Sequence, residues 1–305
     1  MNFSTAPFYA EQFLLAKTRN ICFNIFGDNM KFKNVLLASD FDGTLKNDEG
    51  IITKQDRDAI AYFMSEGGYF TVCTGRSYQG FHLYSPEYIN APVLLANGAM
   101  AYDYEAKKLI FNDTIGEESF GAIRAVNREF PDAAIEMYPF RFLDDGKTVN
   151  PMCYAINPTE NSQRHFTSQN IEFSVVSDPS EGASPWPKLM IAAHGFSQEV
   201  QKLLDGYPQI KYLKTTGDYV EILRCGSDKG TGLLKLGDYL GCAHKDAYAA
   251  GDGYNDIEML VAAAGGFVPE NGSPEALAVA KYVTRSNNDG CIANAIEILD
   301  RIYGD

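Results

Sequence analysis

The sequence predicts an α/β fold: a doubly wound, Rossmann-like parallel sheet interrupted by an inserted α+β domain. Three observations carry this expectation. Short apolar runs without polar alternation recur, each ending in glycine or a small polar residue. Amphipathic stretches separate them. The middle of the chain, from about 113 to 224, mixes short strand-like and helical pieces in a different rhythm.

The apolar runs lie at 35–38, 70–73, 93–96 and 247–250, with a weaker one at 266–268. Unbroken apolar runs of this length suit strands buried on both faces, as in parallel sheets. A helix is expected to start after Thr53 as N-cap. It carries Ala59, Ile60, Phe63 and Met64 at helical spacing and stops at Gly67-Gly68. Further helices are expected at 230–240, 255–264, 274–281 and 291–303. Strands alternating with helices imply a parallel, doubly wound sheet. The insertion shows strand-like pieces at 152–156, 171–176, 189–193 and 219–223, and helical ones at 117–129, 160–169 and 197–205. Turn clusters, Asp144-Asp145-Gly146 and Ser184-Pro185-Trp186-Pro187, punctuate it. The expected organisation is an extension over 1–30, a core formed by 31–112 and 225–305, and the insertion over 113–224 between them.

The chain has 305 residues, 45% hydrophobic and 22% charged. That length suits two domains, or one large α/β unit with an insertion. Its 26 basic residues face 40 acidic ones, a net charge of −14. Nucleic acid and an anionic bilayer are therefore not expected partners. A small anionic substrate stays possible, because a bound divalent metal reverses the local sign. The six cysteines (21, 73, 153, 225, 242 and 291) form no CxxC pair, which points to buried, reduced thiols in a cytoplasmic protein. The four histidines (82, 165, 194 and 244) do not cluster, so oxygen ligands are the expected metal chemistry. No apolar run of about 18 residues exists for a membrane span. Over 1–29, Phe13-Leu14-Leu15-Ala16 is cut by Lys17 and Arg19, without a clean signal-peptide pattern. This stretch reads as an extension with a short helix, or as poorly ordered; a peripheral membrane helix is the alternative. Met30, just before the first strand, is an alternative start.

Four motifs carry chemistry. Asp40-Phe41-Asp42-Gly43-Thr44-Leu45 follows the first strand, where ligands of open α/β sheets bind. Two carboxylates held close must take a proton or share a cation, and magnesium accepts such oxygen ligands. Gly43 allows a phosphate to approach backbone N–H groups. Thr74-Gly75-Arg76-Ser77 follows the second strand and offers a hydroxyl and a backbone turn to a phosphoryl oxygen. Lys229 opens a helix, where a lone lysine is ordinarily solvated; here a cation is wanted. Gly251-Asp252-Gly253-Tyr254-Asn255-Asp256 again places carboxylates and glycines after a strand, although Asn255 or Asp256 could simply cap the next helix.

These four motifs, in this order, resemble the haloacid dehalogenase superfamily of phosphotransferases. Asn97-Gly98-Ala99, the segment from Tyr282 to Gly290, and the place of the insertion are similar to its Cof-type, subfamily IIB branch with a C2B cap. Glu270-Asn271-Gly272 departs from the Gly-Asn-Ala common in relatives. The resemblance covers about 31–305. It implies that 113–224 is an α+β cap that sets substrate specificity. It implies Asp40 as the nucleophile that becomes an aspartyl-phosphate, and Asp42 as general acid and then base. Thr74 and Lys229 would serve the transferring phosphoryl, with Gly43, Gly75 and Asn255 completing the phosphate site. Mg2+ would bind the Asp40 carboxylate, the Asp42 backbone carbonyl and Asp252, supported by Asp256.

The expected function is a Mg-dependent phosphatase of a small phosphorylated metabolite. Sugar phosphates are the default by resemblance, with nucleotide-derived and cofactor phosphates open. A phosphomutase or phosphotransferase would use the same residues with a hydroxyl acceptor. A phospho-Asp signalling module is a third reading, but such domains need no large cap. Arg141, Lys147, Arg164 and Lys188 could contact a substrate, against a default of solvated surface charges. Trp186, the only tryptophan, is expected to be a packing anchor. Oligomeric state is not legible.

Overall fold

A computed structural model describes residues 30–147, 149–214 and 219–304; the extension expected over 1–29 lies outside them. The core sheet has the strand order β14-β13-β12-β1-β2: Tyr282–Thr284, Gly266–Pro269, Ala247–Ala250, Leu36–Ser39 and Tyr69–Val72, all parallel. The expected doubly wound sheet is present. Its central strands are covered on both faces, which is why their sequences lack alternation. Leu37 packs with Ile60 and Phe63 of α1 (Lys54–Ser65) and with Ile292, Ile296 and Leu299 of α8 (Cys291–Ile302). Leu36 and Ala38 pack with Leu233 and Leu236 of α5 (Lys229–Leu240) on the opposite side. Thr53 does cap α1, its hydroxyl accepting the Asp56 N–H at 3.1 Å, a contact worth about 1 kcal/mol in a typical helix.

One strand differs from expectation. The run at 93–96 forms β3 (Val93–Leu95), but it pairs antiparallel with β4 (Met100–Asp103), followed by β5 (Lys108–Asn112). A single bridge, Cys73 to Leu94, joins it to the parallel sheet. The reason is the turn after it. Ala96, Asn97 and Gly98 all adopt positive φ, reversing the chain tightly enough for a hairpin. Gly98 is needed there, because a Cβ would stand 2.5 Å from the Asp228 carbonyl oxygen. Gly98→Ala is expected to lower stability by about 1–3 kcal/mol through overpacking and left-handed strain. Urea unfolding checks this; an unchanged midpoint would contradict it.

The insertion builds a six-stranded sheet in the order β10-β11-β9-β6-β7-β8. The strands are Ile210–Lys214, Tyr219–Arg224, Lys188–Ala192, Ala134–Tyr138, Cys153–Ile156 and Phe173–Val175. All neighbours are antiparallel except β7 and β8. Helices α2 (Phe120–Glu129) and α4 (Ser197–Leu204) cover one face, burying Ile123, Val126, Val200 and Leu204 against Ile135, Leu189, Ile191 and Ile222. α3 (Glu160–Ser168) contributes Phe166 to a separate cluster with Tyr138 and Met190. Trp186 is fully buried and packs on Phe120, as an anchor should. Cys73, Cys153, Cys242 and Cys291 are buried thiols and Cys225 is exposed. Among the described residues, no helix is long and apolar enough to cross a membrane.

Candidate active site

Register brings the motifs together. Ser39 pairs with Val72 on one side and with Ala250 on the other. The segments that follow, from Asp40, from Cys73 and from Gly251, therefore leave the same sheet edge side by side. This is the carboxyl end, where open α/β sheets hold ligands.

Lys229 is the hinge of the electrostatics. The Asp228 side chain caps α5 by accepting the Thr231 N–H, and Thr231 returns the bond to the Asp228 N–H. That reciprocal cap fixes the first helical residue, Lys229, pointing into the core. Its ammonium group is fully buried and bonds Asp40 at 2.5 Å and Asp256 at 2.6 Å. The default of a solvated helix-start lysine is thus overturned. Burial opposes its charge, but Asp256 and Asp40 outweigh that and push its pKa above the ordinary lysine value. Burial, reinforced by Asp256 and Asp252 and opposed by Lys229, leaves the Asp40 carboxyl pushed up to about 8.

Asp252 accepts the Thr44 hydroxyl at 2.6 Å, and burial raises its pKa as well. Gly43, at φ +88°, comes so close that a Cβ there would lie 2.7 Å from Asp252 Oδ2. Asp256 stands at the N-cap position of the next helix, α6 (Ile257–Ala262), but its side chain makes no capping bond there. It turns back and accepts the N–H groups of Asp252 and Gly253 at 3.0 and 2.8 Å, holding that loop on the site. Carboxylate oxygens of Asp40, Asp252 and Asp256 all lie within 4.8 Å of one another. Three hard oxygen donors at that spacing fit a magnesium ion. Both Asp256 oxygens are already taken by Lys229 and the loop, so Asp40 and Asp252 are the freer donors.

Asp42 stands apart. Its carboxylate is half-exposed and held by Arg76 in a bidentate pair, at 2.8 and 3.0 Å. Thr74 is buried beside Asp40's strand, and its hydroxyl accepts the Arg76 N–H at 3.2 Å. Asn255 donates to Asn97 Oδ1 at 3.1 Å, and the Asn97 N–H bonds the Thr74 carbonyl at 2.9 Å. Asn271, in the departing Glu270-Asn271-Gly272 segment, donates to the Gly43 carbonyl and accepts the Asn287 N–H, both at 2.9 Å. The altered loop still braces the first motif.

Sequence reasoning missed Glu221 and gave no firm role to three residues it had named. Arg76 lay inside a named motif, and its reach to Asp42 was legible only as a charge beside it. Asn97 was noted after the third apolar run, as part of the resemblance, without a role. Lys188 is only 4% exposed, against the surface-charge default, and donates to the Gly75 carbonyl at 2.8 Å. Glu221 lies 3.4 Å from Lys188 and accepts the Asn97 side-chain amide. Arg141, Lys147 and Arg164 are exposed, as their default has it. A groove of about 800 Å3 between α1 and α8 includes none of the site residues named above.

Comparisons with known proteins agree with this geometry. A family model for haloacid dehalogenase-like hydrolases matches residues 37–296. A 5-amino-6-(5-phospho-D-ribitylamino)uracil phosphatase of Bacillus subtilis is 27% identical over 284 residues, covering 86% of this chain and 97% of the relative. A pyridoxal phosphate phosphatase of Escherichia coli is 25% identical over 269 residues, covering 86% and 97%. A solved subclass IIB sugar phosphatase of the superfamily shares the fold, with a TM-score of 0.73 at 20% identity, covering 87% of this chain and 98% of its own. The chain belongs to the haloacid dehalogenase-like hydrolases, and relatives that it matches along nearly their whole length are named phosphatases.

Proposed function

We propose that the protein is a Mg-dependent phosphatase that hydrolyses a small phosphorylated metabolite through an aspartyl-phosphate on Asp40. The observation that carries this reading is the buried Lys229 bridge between Asp40 and Asp256, with Asp252 closing the acidic cluster. It supplies a nucleophile, a fixed cation and a metal-sized set of oxygens at one strand edge.

Asp40 Oδ attacks phosphorus in line, and the bond from phosphorus to the leaving oxygen breaks. Asp42 gives its proton to that oxygen. It then takes a proton from the water that attacks the acyl phosphate, releasing inorganic phosphate and the free Asp40 carboxylate. Arg76 occupies both Asp42 oxygens here, so proton transfer requires at least one of those bonds to be given up. Lys229 stabilises charge on the phosphoryl group, and Thr74 with the Gly43 and Gly75 backbone orients it. Asn255 supports the same phosphate. Asp40, the Asp42 carbonyl and Asp252 would hold Mg2+, with Asp256 bracing Asp252. The ion, when bound, neutralises the repulsion between the carboxylate and an incoming phosphate. The insertion over 113–224 acts as the cap that screens the leaving group. Relatives named for a ribitylaminouracil phosphate and for pyridoxal phosphate support a compact substrate, and a sugar phosphate is the first to try.

The expected result is release of phosphate from p-nitrophenyl phosphate that appears with Mg2+ and disappears with a chelator. Equal turnover in both conditions would overturn the metal assignment.

A further inference from the structure

The cap sheet has one apolar face, already packed under α2 and α4. Register sets a different row on the other. Tyr138 pairs with Lys188, while Met190 lies between Glu136 and Glu221. Strand alternation puts all five on one side. That side meets the core: Lys188 bonds the Gly75 carbonyl, Glu221 accepts from Asn97, and Asn97 is bonded by Asn255. The cap therefore contacts the Thr74-Gly75 loop and the Asn97 turn through one charged pair, and only Asn97 links that pair onward to Asn255 of the Asp252–Asp256 loop. Lys188 also sits over the Tyr138 ring at 5.4 Å, and the Tyr138 hydroxyl donates to Glu136 at 2.6 Å.

Burying an ion pair between two domains gains little over apolar packing. These polar groups are better explained by what they meet between cap and core. Charge matching narrows the choice. Lys188 is paired with Glu221, Lys211 with Asp228 and Glu258, Arg76 with Asp42, and Lys229 with two aspartates. Glu136 adds a fully buried carboxylate on the same face, and its Oε1 has no hydrogen-bond partner. None of these cations is left over for a second anion on the substrate. A hydroxyl group suits the same pair, accepting from Lys188 while donating to Glu221.

We infer that Lys188 and Glu221 form the leaving-group subsite and select a neutral, hydroxyl-bearing leaving group over one that carries a second phosphate or a carboxylate. This rests on the phosphatase reading above. The hydroxyl takes the place of the Gly75 carbonyl as the Lys188 acceptor, and Glu221 holds its proton.

The test compares kcat/KM with Mg2+ for p-nitrophenyl phosphate, sorbitol 6-phosphate and fructose 1,6-bisphosphate. The wild type is expected to prefer the polyol phosphate over the bisphosphate by at least about tenfold, one hydrogen bond's worth of discrimination. Lys188→Met should lower the polyol-to-aryl ratio by about tenfold. Glu221→Gln should raise the bisphosphate-to-polyol ratio, because it leaves Lys188 without its carboxylate. A wild type that is active on the aryl phosphate yet favours the bisphosphate overturns this inference and leaves the phosphatase reading standing. Ratios that stay fixed in both variants overturn it too. A wild type inert towards all three compounds overturns the phosphatase reading, and this one with it.

Discussion

Asp40→Asn is expected to lower kcat for any phosphate ester by at least about a thousandfold, the scale of losing a covalent nucleophile. The substitution keeps the side-chain shape and can still accept from Lys229, so the fold should survive. Stability gives an independent reading of the same residue. Burial raises the Asp40 pKa to about 8 in the metal-free protein. An acid with a raised folded pKa contributes stability that is full below its ordinary value and is lost as pH rises through the folded one. The wild type without metal should therefore lose stability as pH rises from about 4 to about 8 and level off above that, and Asp40→Asn should lose less. Activity and unfolding curves measured together check both parts. A variant that keeps wild-type turnover would contradict the nucleophile assignment; parallel pH curves would contradict the buried-carboxylate account.

Lys229→Met is expected to be the most destabilising substitution at the site. It would leave Asp40 and Asp256 buried beside each other with no cation between them. Breaking a buried pair in this way costs about 3–5 kcal/mol. Turnover should vanish as well, since the phosphoryl group loses its fixed positive partner. Adding Asp256→Asn to Lys229→Met should restore part of the stability by removing one of the stranded charges, without restoring turnover. Urea midpoints for the two variants decide this. A Lys229→Met midpoint equal to that of the wild type would show that the bridge does not hold the site together.

The core was legible because its rules are local. The runs at 35–38, 70–73 and 247–250 had no alternation, so they had to be buried on both faces, and the motifs stood directly behind them. The run at 93–96 had the same composition but joined a hairpin, because three consecutive positive φ angles at Ala96, Asn97 and Gly98 reversed the chain. Asn and Gly hinted at a turn there; Ala96 did not. In the cap, β6 and β10 were missed, since residues 134–138 and 210–214 mix apolar and polar types without a clean period. Lys229 was legible as a vacancy for a cation, but its full burial was not. That depends on the Asp228 cap aiming the first residue of α5 inward. Lys188 and Glu221 were invisible as a pair because they lie on strands 33 residues apart that the sheet makes neighbours. Charge in the sequence said only that Lys188 was basic, and a basic residue in a cap is ordinarily solvated.

The central claim is that Asp40 itself carries the phosphoryl group. The direct measurement is rapid acid quench of the enzyme during turnover of a phosphate ester with Mg2+, followed by peptide mass analysis. The account predicts a phosphoryl adduct on the peptide that contains Asp40, formed in the wild type and missing from Asp40→Asn. Turnover with no adduct on that peptide, or an adduct on any other residue, would contradict it.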